Sequence, residues 1–327
     1  MGWIGVDLFF VLSGFLVSGL LFKEHLKFGS INPKLFLIRR GFKIYPIYYL
    51  SLVIYILPKL FFNKVEFQKT VYDLIFVQNY ALGWGYLYRP SWSLAVEEHF
   101  YFGLAFLLWF IFNKKIISFK GNINGISNFE KFILLILFAT LVMRFVSNSF
   151  YTEDIRQFTM THLRIDSLFF GVLIAYWYHF KQEKLVTFYH NHQSILLIFA
   201  FSILSFTPFV EPINSFFVKT IGFTLLFMAF GILLVHFLVN KKVNRQINNI
   251  FTKKGADFVS KIGFCSYSIY VIHTFIIMCV NILHFKNRFL SFAIVFFGSV
   301  FIGFVMTYAV EKFFLNYRDR FFPNRIV

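Results

Sequence analysis

Nine stretches of this chain are apolar over lengths approaching the roughly twenty residues a helix needs to cross a hydrocarbon layer. They are residues 3–22, 44–62, 93–112, 132–146, 163–178, 194–210, 218–239, 262–283 and 289–310. Inside lipid, each backbone N–H and C=O must bond within its own segment, so runs of this kind fold as helices. Charged residues make up 14% of the chain, against about 25% in a soluble domain, too few to coat a water-facing surface. The expectation is an all-α, polytopic bundle of about nine spans. Residues 1–327 form one membrane-embedded domain, with no stretch left for a soluble one and no repeat of solenoid length.

The connectors test that count. Taken alternately, they place 22 of the 32 Lys and Arg residues on one side and 8 on the other. The rich side includes Lys23, Lys34, Lys115, Lys120, Lys181, Lys254 and Arg318, and the poor side Lys59, Arg89 and Lys286. A missed or invented span would scramble the alternation. Because cytoplasmic loops are the basic ones, the N-terminus is expected outside and the C-terminus in the cytoplasm. The net charge of +17 is thus spread between spans instead of forming one patch, which argues against a nucleic-acid partner. Residues 3–22 lack the basic flank and small-residue cleavage site of a signal peptide. Cys265 and Cys279 lie four helical turns apart in one apolar stretch, so they read as packing residues. No metal-ligand spacing occurs.

Charge within a span is costly and marks a functional candidate. Asp7 lies near the outer end of the first span, as an interfacial carboxylate with an Arg or Trp partner or as part of a site. Ser13 and Gly14, a turn or two on, suit close helix packing. The densest polar cluster is Arg89-Pro-Ser-Trp-Ser-Leu-Ala-Val-Glu-Glu-His-Phe-Tyr101. There Ser91 or Ser93 can cap a helix and place Glu97 and Glu98 in its early turns. Neighbouring carboxylates point about 100° apart on a helix, so one of the two at most faces a given site. Either compensates the helix dipole alongside an Arg89 ion pair, or accepts a proton or orients an imidazole such as His99. Arg164, Asp166 and Arg144 read first as ion-pair partners of other helices. Arg39, Arg40 and Lys43 either anchor the second span or clamp phosphate, for which adjacent guanidiniums are suited. Tyr267, Tyr270 and His273 share neighbouring faces of a late span, where their polar atoms need partners.

Together these segments resemble the acyltransferase family three, membrane enzymes that O-acylate cell-surface sugars. The resemblance runs from Gly5 to about Phe322 through six motifs in order. They are Gly5-Val-Asp-Leu-Phe-Phe-Val-Leu-Ser-Gly-Phe-Leu, Arg39-Arg-Gly-Phe-Lys-Ile-Tyr-Pro, Trp92-Ser-Leu-Ala-Val-Glu-Glu-His-Phe-Tyr, Arg164-Ile-Asp-Ser-Leu-Phe-Phe-Gly, Ser266-Tyr-Ser-Ile-Tyr-Val-Ile-His and Glu311-Lys-Phe-Phe-Leu. Lys43 stands where the family usually carries Arg. Family members also begin with a helix holding an Arg and, about eleven positions on, a His taken as the catalytic base. This chain starts past that point, so the resemblance implies nine of ten core helices here.

The resemblance implies transfer of an acyl group, usually acetyl, from acetyl-CoA or another acyl-CoA in the cytoplasm. The acceptor is a hydroxyl of a glycan or lipid-linked sugar, and the setting a bacterial-type cytoplasmic membrane, with membrane lipid around the chain and no metal. It implies Glu97, Glu98 and Asp7 as catalytic residues, and Arg39, Arg40 and Lys43 as donor-binding ones. Arg89, Ser91, Trp92, His99, Arg164, Asp166, Tyr267 and His273 fall on the acceptor side. Two rival readings remain at this point: an exporter of a glycan or lipid intermediate, which intramembrane charge suits equally, and an inactive fragment without the histidine helix.

Overall fold

The computed structural model describes residues 3–114, 126–150, 154–250, 253–284 and 287–326, and among them regular structure is entirely helical. Lys115, Lys120 and Lys286 of the loop pattern lie outside the described residues. Nine long helices carry the fold: α1 Ile4–Phe28, α2 Pro33–Phe61, α3 Ser91–Lys114, α4 Asn128–Phe150, α5 Thr161–Phe180, α6 Gln182–Phe206, α7 Val218–Val239, α8 Lys253–Ile282 and α9 Arg288–Phe321. Among the described residues, eight helices are long and apolar enough to cross a membrane. That is one fewer than the sequence pattern suggests. The expected span at 132–146 is present as α4, a 23-residue helix that is not among the eight and that buries Glu130 and Arg144.

The helices outrun the apolar stretches because their ends are polar and capped. At the α1–α2 turn, Gly29 takes φ +69°, the left-handed conformation that ends a helix, and its N–H donates to the His25 carbonyl at 2.7 Å. Three residues later Asn32 caps α2, accepting from the Leu35 N–H at 3.0 Å, with Pro33 in the first turn where its missing donor costs nothing. The expected caps of α3 are absent. The Ser91 hydroxyl faces Gln78 and the Ser93 hydroxyl faces Pro90 and Tyr270, so both serve the loop and α8 instead of the helix end.

Packing centres on α1 and α5, the closest pair in the bundle. A Cβ at Gly14 would lie 2.0 Å from the Leu168 carbonyl oxygen, and one at Gly171 would lie 2.3 Å from that of Val11. Reciprocal glycines therefore let the two backbones touch, as in small-residue membrane interfaces. Around this pair stand α4 and α7, while α2, α3, α8 and α9 form the other side, with α8 packed along α9. Two turns wind as π-helix, Val218–Gly222 at the start of α7 and Thr307–Glu311 within α9. Such irregular turns often mark functional positions.

Between α2 and α3, residues 62–90 fold over one end of the bundle around Asp73. Its carboxylate accepts from the Tyr86 N–H at 3.1 Å and the Leu87 N–H at 2.6 Å, and its carbonyl accepts from the Tyr48 hydroxyl at 2.7 Å. Burial pushes the Asp73 carboxyl up to about 6, outweighing those two N–H donors.

Candidate active site

Two buried carboxylates on consecutive positions of α3 face two different surroundings. Glu97, 3% exposed, accepts from the Tyr101 hydroxyl one turn further on at 2.7 Å, and that oxygen lies 2.7 Å from Ser13 Oγ of α1. Glu98, 6% exposed, accepts from the Tyr45 hydroxyl of α2 at 2.9 Å through Oε2, and its Oε1 has no partner among the described residues. The helical offset of about 100° thus sends one carboxylate towards α1 and the other towards α2.

A cavity of about 370 Å³ opens at the basic end of the bundle, linked to Glu97 through Arg40, which lines it and lies over the Tyr101 ring. Arg39, Arg40 and Lys43 line it from α2, and Arg318 and Arg325 from the C-terminal segment. Most of these cations are balanced. Arg39 pairs with Asp319 at 3.0 Å and donates to the Phe322 carbonyl; Arg325 pairs with Glu24 at 2.6 Å. Lys43 pairs with Glu311, a wholly buried carboxylate on the π-turn of α9 that also accepts from Ser268 at 3.3 Å. Arg40 differs. Among the described residues it makes no ion pair, and its guanidinium lies over the rings of Phe36 (5.7 Å) and Tyr101 (5.6 Å). The five cations of the cavity wall share three carboxylates among the described residues, Asp319 serving both Arg39 and Arg318, and the Arg40 guanidinium rests against the tyrosine that holds Glu97.

The remaining predicted residues separate into groups. Asp7 and Arg164 pair at 2.9 Å between α1 and α5, and Arg144 and Asp166 at 2.6 Å between α4 and α5. Arg144 also donates to Thr224 of α7 at 2.7 Å, and the Arg164 guanidinium stacks 3.5 Å from the Phe223 ring centre. Trp92 closes this quartet from α3, with Arg164 5.6 Å from its ring. These four charged residues lie in the sealed core, each within 1% of full burial. Tyr267 is buried near the carboxylates and donates to the Ile44 carbonyl. His273 hydrogen-bonds the Tyr270 carbonyl and lines a separate opening of about 420 Å³ between α1 and α8. Ser91 belongs to the loop network. His99 turns away from Glu97, bonding Thr161 at 2.7 Å, and Arg89 is exposed with no ion pair among the described residues. The sequence reading gave no role to Tyr45, Tyr101, Glu311, Arg318 or Arg325. Tyr101 was legible in principle, since it falls one helical turn after Glu97.

A helix bundle that buries a carboxylate pair beside a basic cavity fits membrane enzymes that move acyl groups. The family described as an acyltransferase domain matches residues 1–308, nearly the whole chain. The chain belongs to that family, and its membrane-length apolar helices make it a multi-pass membrane protein by class. Among its relatives, the peptidoglycan O-acetyltransferase OatA of Listeria monocytogenes is 34% identical over 128 residues, 33% of this chain and 21% of that protein. A putative O-acetyltransferase of Staphylococcus aureus is 26% identical over 200 residues, 56% of this chain and 32% of its own length. An uncharacterized protein of Haemophilus influenzae is 30% identical over 198 residues, 54% of this chain and 76% of its own. The chain thus spans between about a fifth and a third of the two named O-acetyltransferases. No solved structure matches it significantly.

Proposed function

We propose that this protein transfers an acyl group, most simply acetyl, from a coenzyme A thioester to a hydroxyl of a glycan or lipid-linked sugar at a bacterial cytoplasmic membrane. The observation that supports this reading is Arg40, a cation of the basic cavity that makes no ion pair among the described residues and lies against the ring that holds Glu97. The phosphates of the donor would lie with Arg39 and Arg40, guanidiniums being suited to bidentate phosphate contacts. Lys43 would add charge from a position fixed by Glu311. The basic end then faces the cytoplasm, in keeping with the alternation of basic connectors.

In the transfer, the acceptor oxygen attacks the thioester carbonyl and the C–S bond breaks. The acceptor proton passes to a base, and coenzyme A leaves through its sulfur. Glu97 or Glu98 would take that proton directly or orient an imidazole that takes it. Water must be kept from the thioester, and the apolar packing around both carboxylates serves that need.

Support for the acetyl group and the sugar hydroxyl comes from the names of the relatives, a peptidoglycan O-acetyltransferase among them. The test is to reconstitute the protein in lipid nanodiscs with radiolabelled acetyl-CoA and glycan acceptors, and to measure alkali-labile label on the glycan. Label that requires the protein supports the proposal. No label with a folded, monodisperse protein overturns it.

A further inference from the structure

At the end of α1 away from the basic cavity lies the opening of about 420 Å³ that His273 lines. Gly5 and Phe9 of α1 bound it, with Ile262, Ser266 and Tyr270 of α8. Its volume and its apolar walls with a few polar groups are those of a small-molecule site. No carboxylate, Lys or Arg lines it. The Phe9 and Tyr270 rings of its wall lie nearly parallel, with centres 6.3 Å apart.

The protonation of His273 follows from its one partner. The Tyr270 carbonyl can only accept, so the ring nitrogen bonded to it, Nδ1, carries the proton. Tyr270 is itself held at both ends. Its carbonyl also accepts from the Tyr88 hydroxyl at 2.6 Å, and its own hydroxyl lies 2.7 Å from that of Ser93 on α3. With Nδ1 protonated, the neutral ring leaves Nε2 as an oriented acceptor. Nε2 has no hydrogen-bond partner among the described residues and, unlike Glu98 Oε1, is not enclosed by protein.

These polar groups select the ligand. A hydrocarbon chain in the opening would leave Nε2 and the exposed Ser266 hydroxyl unmatched. An anion would meet a lone pair with no cation to balance it. Ser266 and His273 share a face of α8 about 10 Å apart along its axis. One molecule meets both only if it carries hydroxyls at both ends, as an uncharged sugar does and a simple alcohol does not. Its carbon skeleton then rests on the aromatic walls.

The opening is also in line with the carboxylates. Phe9, Ser13, Leu20 and Glu24 fall on one face of α1. Ser13 bonds the Tyr101 hydroxyl that holds Glu97, while Leu20 and Glu24 line the basic cavity. Phe9 and Leu20 are about 16 Å apart along the helix, and the Ser13–Tyr101–Glu97 chain joins α1 between them.

We propose that the opening between α1 and α8 binds an uncharged saccharide through a hydroxyl that donates to His273 Nε2. The proposal rests on the acyltransferase reading and deepens it, giving the acceptor sugar a site of its own at the opposite end of α1 from the donor cavity. Binding needs neither donor nor turnover, so the two can fail separately.

The experiment uses the full chain in nanodiscs with a diazirine-bearing glycoside of chitobiose, an uncharged disaccharide, as photoprobe. Competitors are methyl chitobioside, its fully O-methylated ether, a disaccharide carrying a uronic acid, and octanol. Label is expected on peptides holding Phe9 and Tyr270. The chitobioside should compete about fivefold better than its ether, the worth of one neutral hydrogen bond. His273→Phe should abolish that preference and leave ether binding in place. A Cβ at Gly5 meets nothing within 4 Å, so Gly5→Leu fills the opening without a clash and should cut labelling several-fold. Ser266→Phe fills it from α8 should the first variant fail to fold. Equal competition by chitobioside and ether, competition by the uronic acid or octanol as good as by chitobioside, a preference that survives His273→Phe, or undiminished label in both filled variants overturns the proposal. An inactive protein that still prefers the chitobioside would sink the enzymatic reading and leave this one intact. Turnover without that preference would do the reverse.

Discussion

Asp7→Leu should destabilise the bundle far more than Asp7→Leu combined with Arg164→Met. Both side chains of this pair are 1% exposed and 2.9 Å apart, and they join α1 to α5 at the closest helix contact in the fold. Removing one partner of a buried pair leaves a bare charge and costs about 3–5 kcal/mol. Arg164 also stacks 3.5 Å from the Phe223 ring centre, a contact worth up to ~2 kcal/mol when desolvated. That contact survives the Asp7 change, so it limits the loss to the lower part of the range. The pair is not ideally satisfied, because Asp7 Oδ2 and Arg164 Nε and Nη1 lack partners among the described residues. Replacing both members by apolar groups of similar size should therefore recover most of the loss, as buried pairs commonly do. Thermal unfolding in a single detergent, followed by size-exclusion fluorescence, reads the difference. An Asp7→Leu variant no less stable than the double variant would refute the reasoning, since the charge left on Arg164 would then cost nothing.

The same logic applies at the cavity wall: Lys43→Met strands the wholly buried Glu311 and should cost about 3 kcal/mol, most of it regained by adding Glu311→Gln. Independent losses in unfolding measurements on the two single variants and the double would exclude the coupling. Gly14→Leu should prevent α1 from seating on α5, because even a Cβ falls 2.0 Å from the Leu168 carbonyl oxygen; a variant that remains monodisperse with an unchanged melting temperature would contradict this. Asp73 gives a pH signature. Its carboxyl titrates near 6 when folded, above the ordinary 3.8, so the folded state holds the proton more tightly. That stabilisation is complete below pH 4 and fades as pH rises through 6, to an extent of at most about 3 kcal/mol. Asp73→Asn should flatten this part of the stability profile, and an unchanged slope between pH 4 and 6 would rule out Asp73 as its source.

The helices were legible from apolar length and from the alternation of basic connectors, because lipid leaves the backbone no alternative. Their ends were not. Polar segments such as 33–43 and 253–261 continue as helix beyond the apolar layer, and hydropathy carries no signal there. Charges within spans singled out Asp7, Glu97, Glu98, Arg144, Arg164 and Asp166 as candidates, and all six are buried. The pairing of Arg164 with Asp7, 157 positions away, required the three-dimensional fold. Ser91 and Ser93 carry a capping signature but are claimed by Gln78 and Tyr270, tertiary partners that no local pattern reveals. Glu311 sits in a recognisable motif, yet its role as the anchor of Lys43 depends on a π-turn that sequence periodicity does not announce.

The most direct test of the central claim is equilibrium binding of acetyl-CoA to the purified protein in nanodiscs, over a range of salt concentrations, for the native chain, Arg40→Gln and Arg320→Gln. Arg320 lies outside the cavity lining and serves as a control for net charge. The account predicts that Arg40→Gln weakens binding about tenfold or more, the worth of one charged hydrogen bond, and reduces its salt dependence. Arg320→Gln should bind as the native chain does. Native affinity in Arg40→Gln, or equal losses in both variants, would contradict a donor held in the basic cavity against Tyr101 and Glu97.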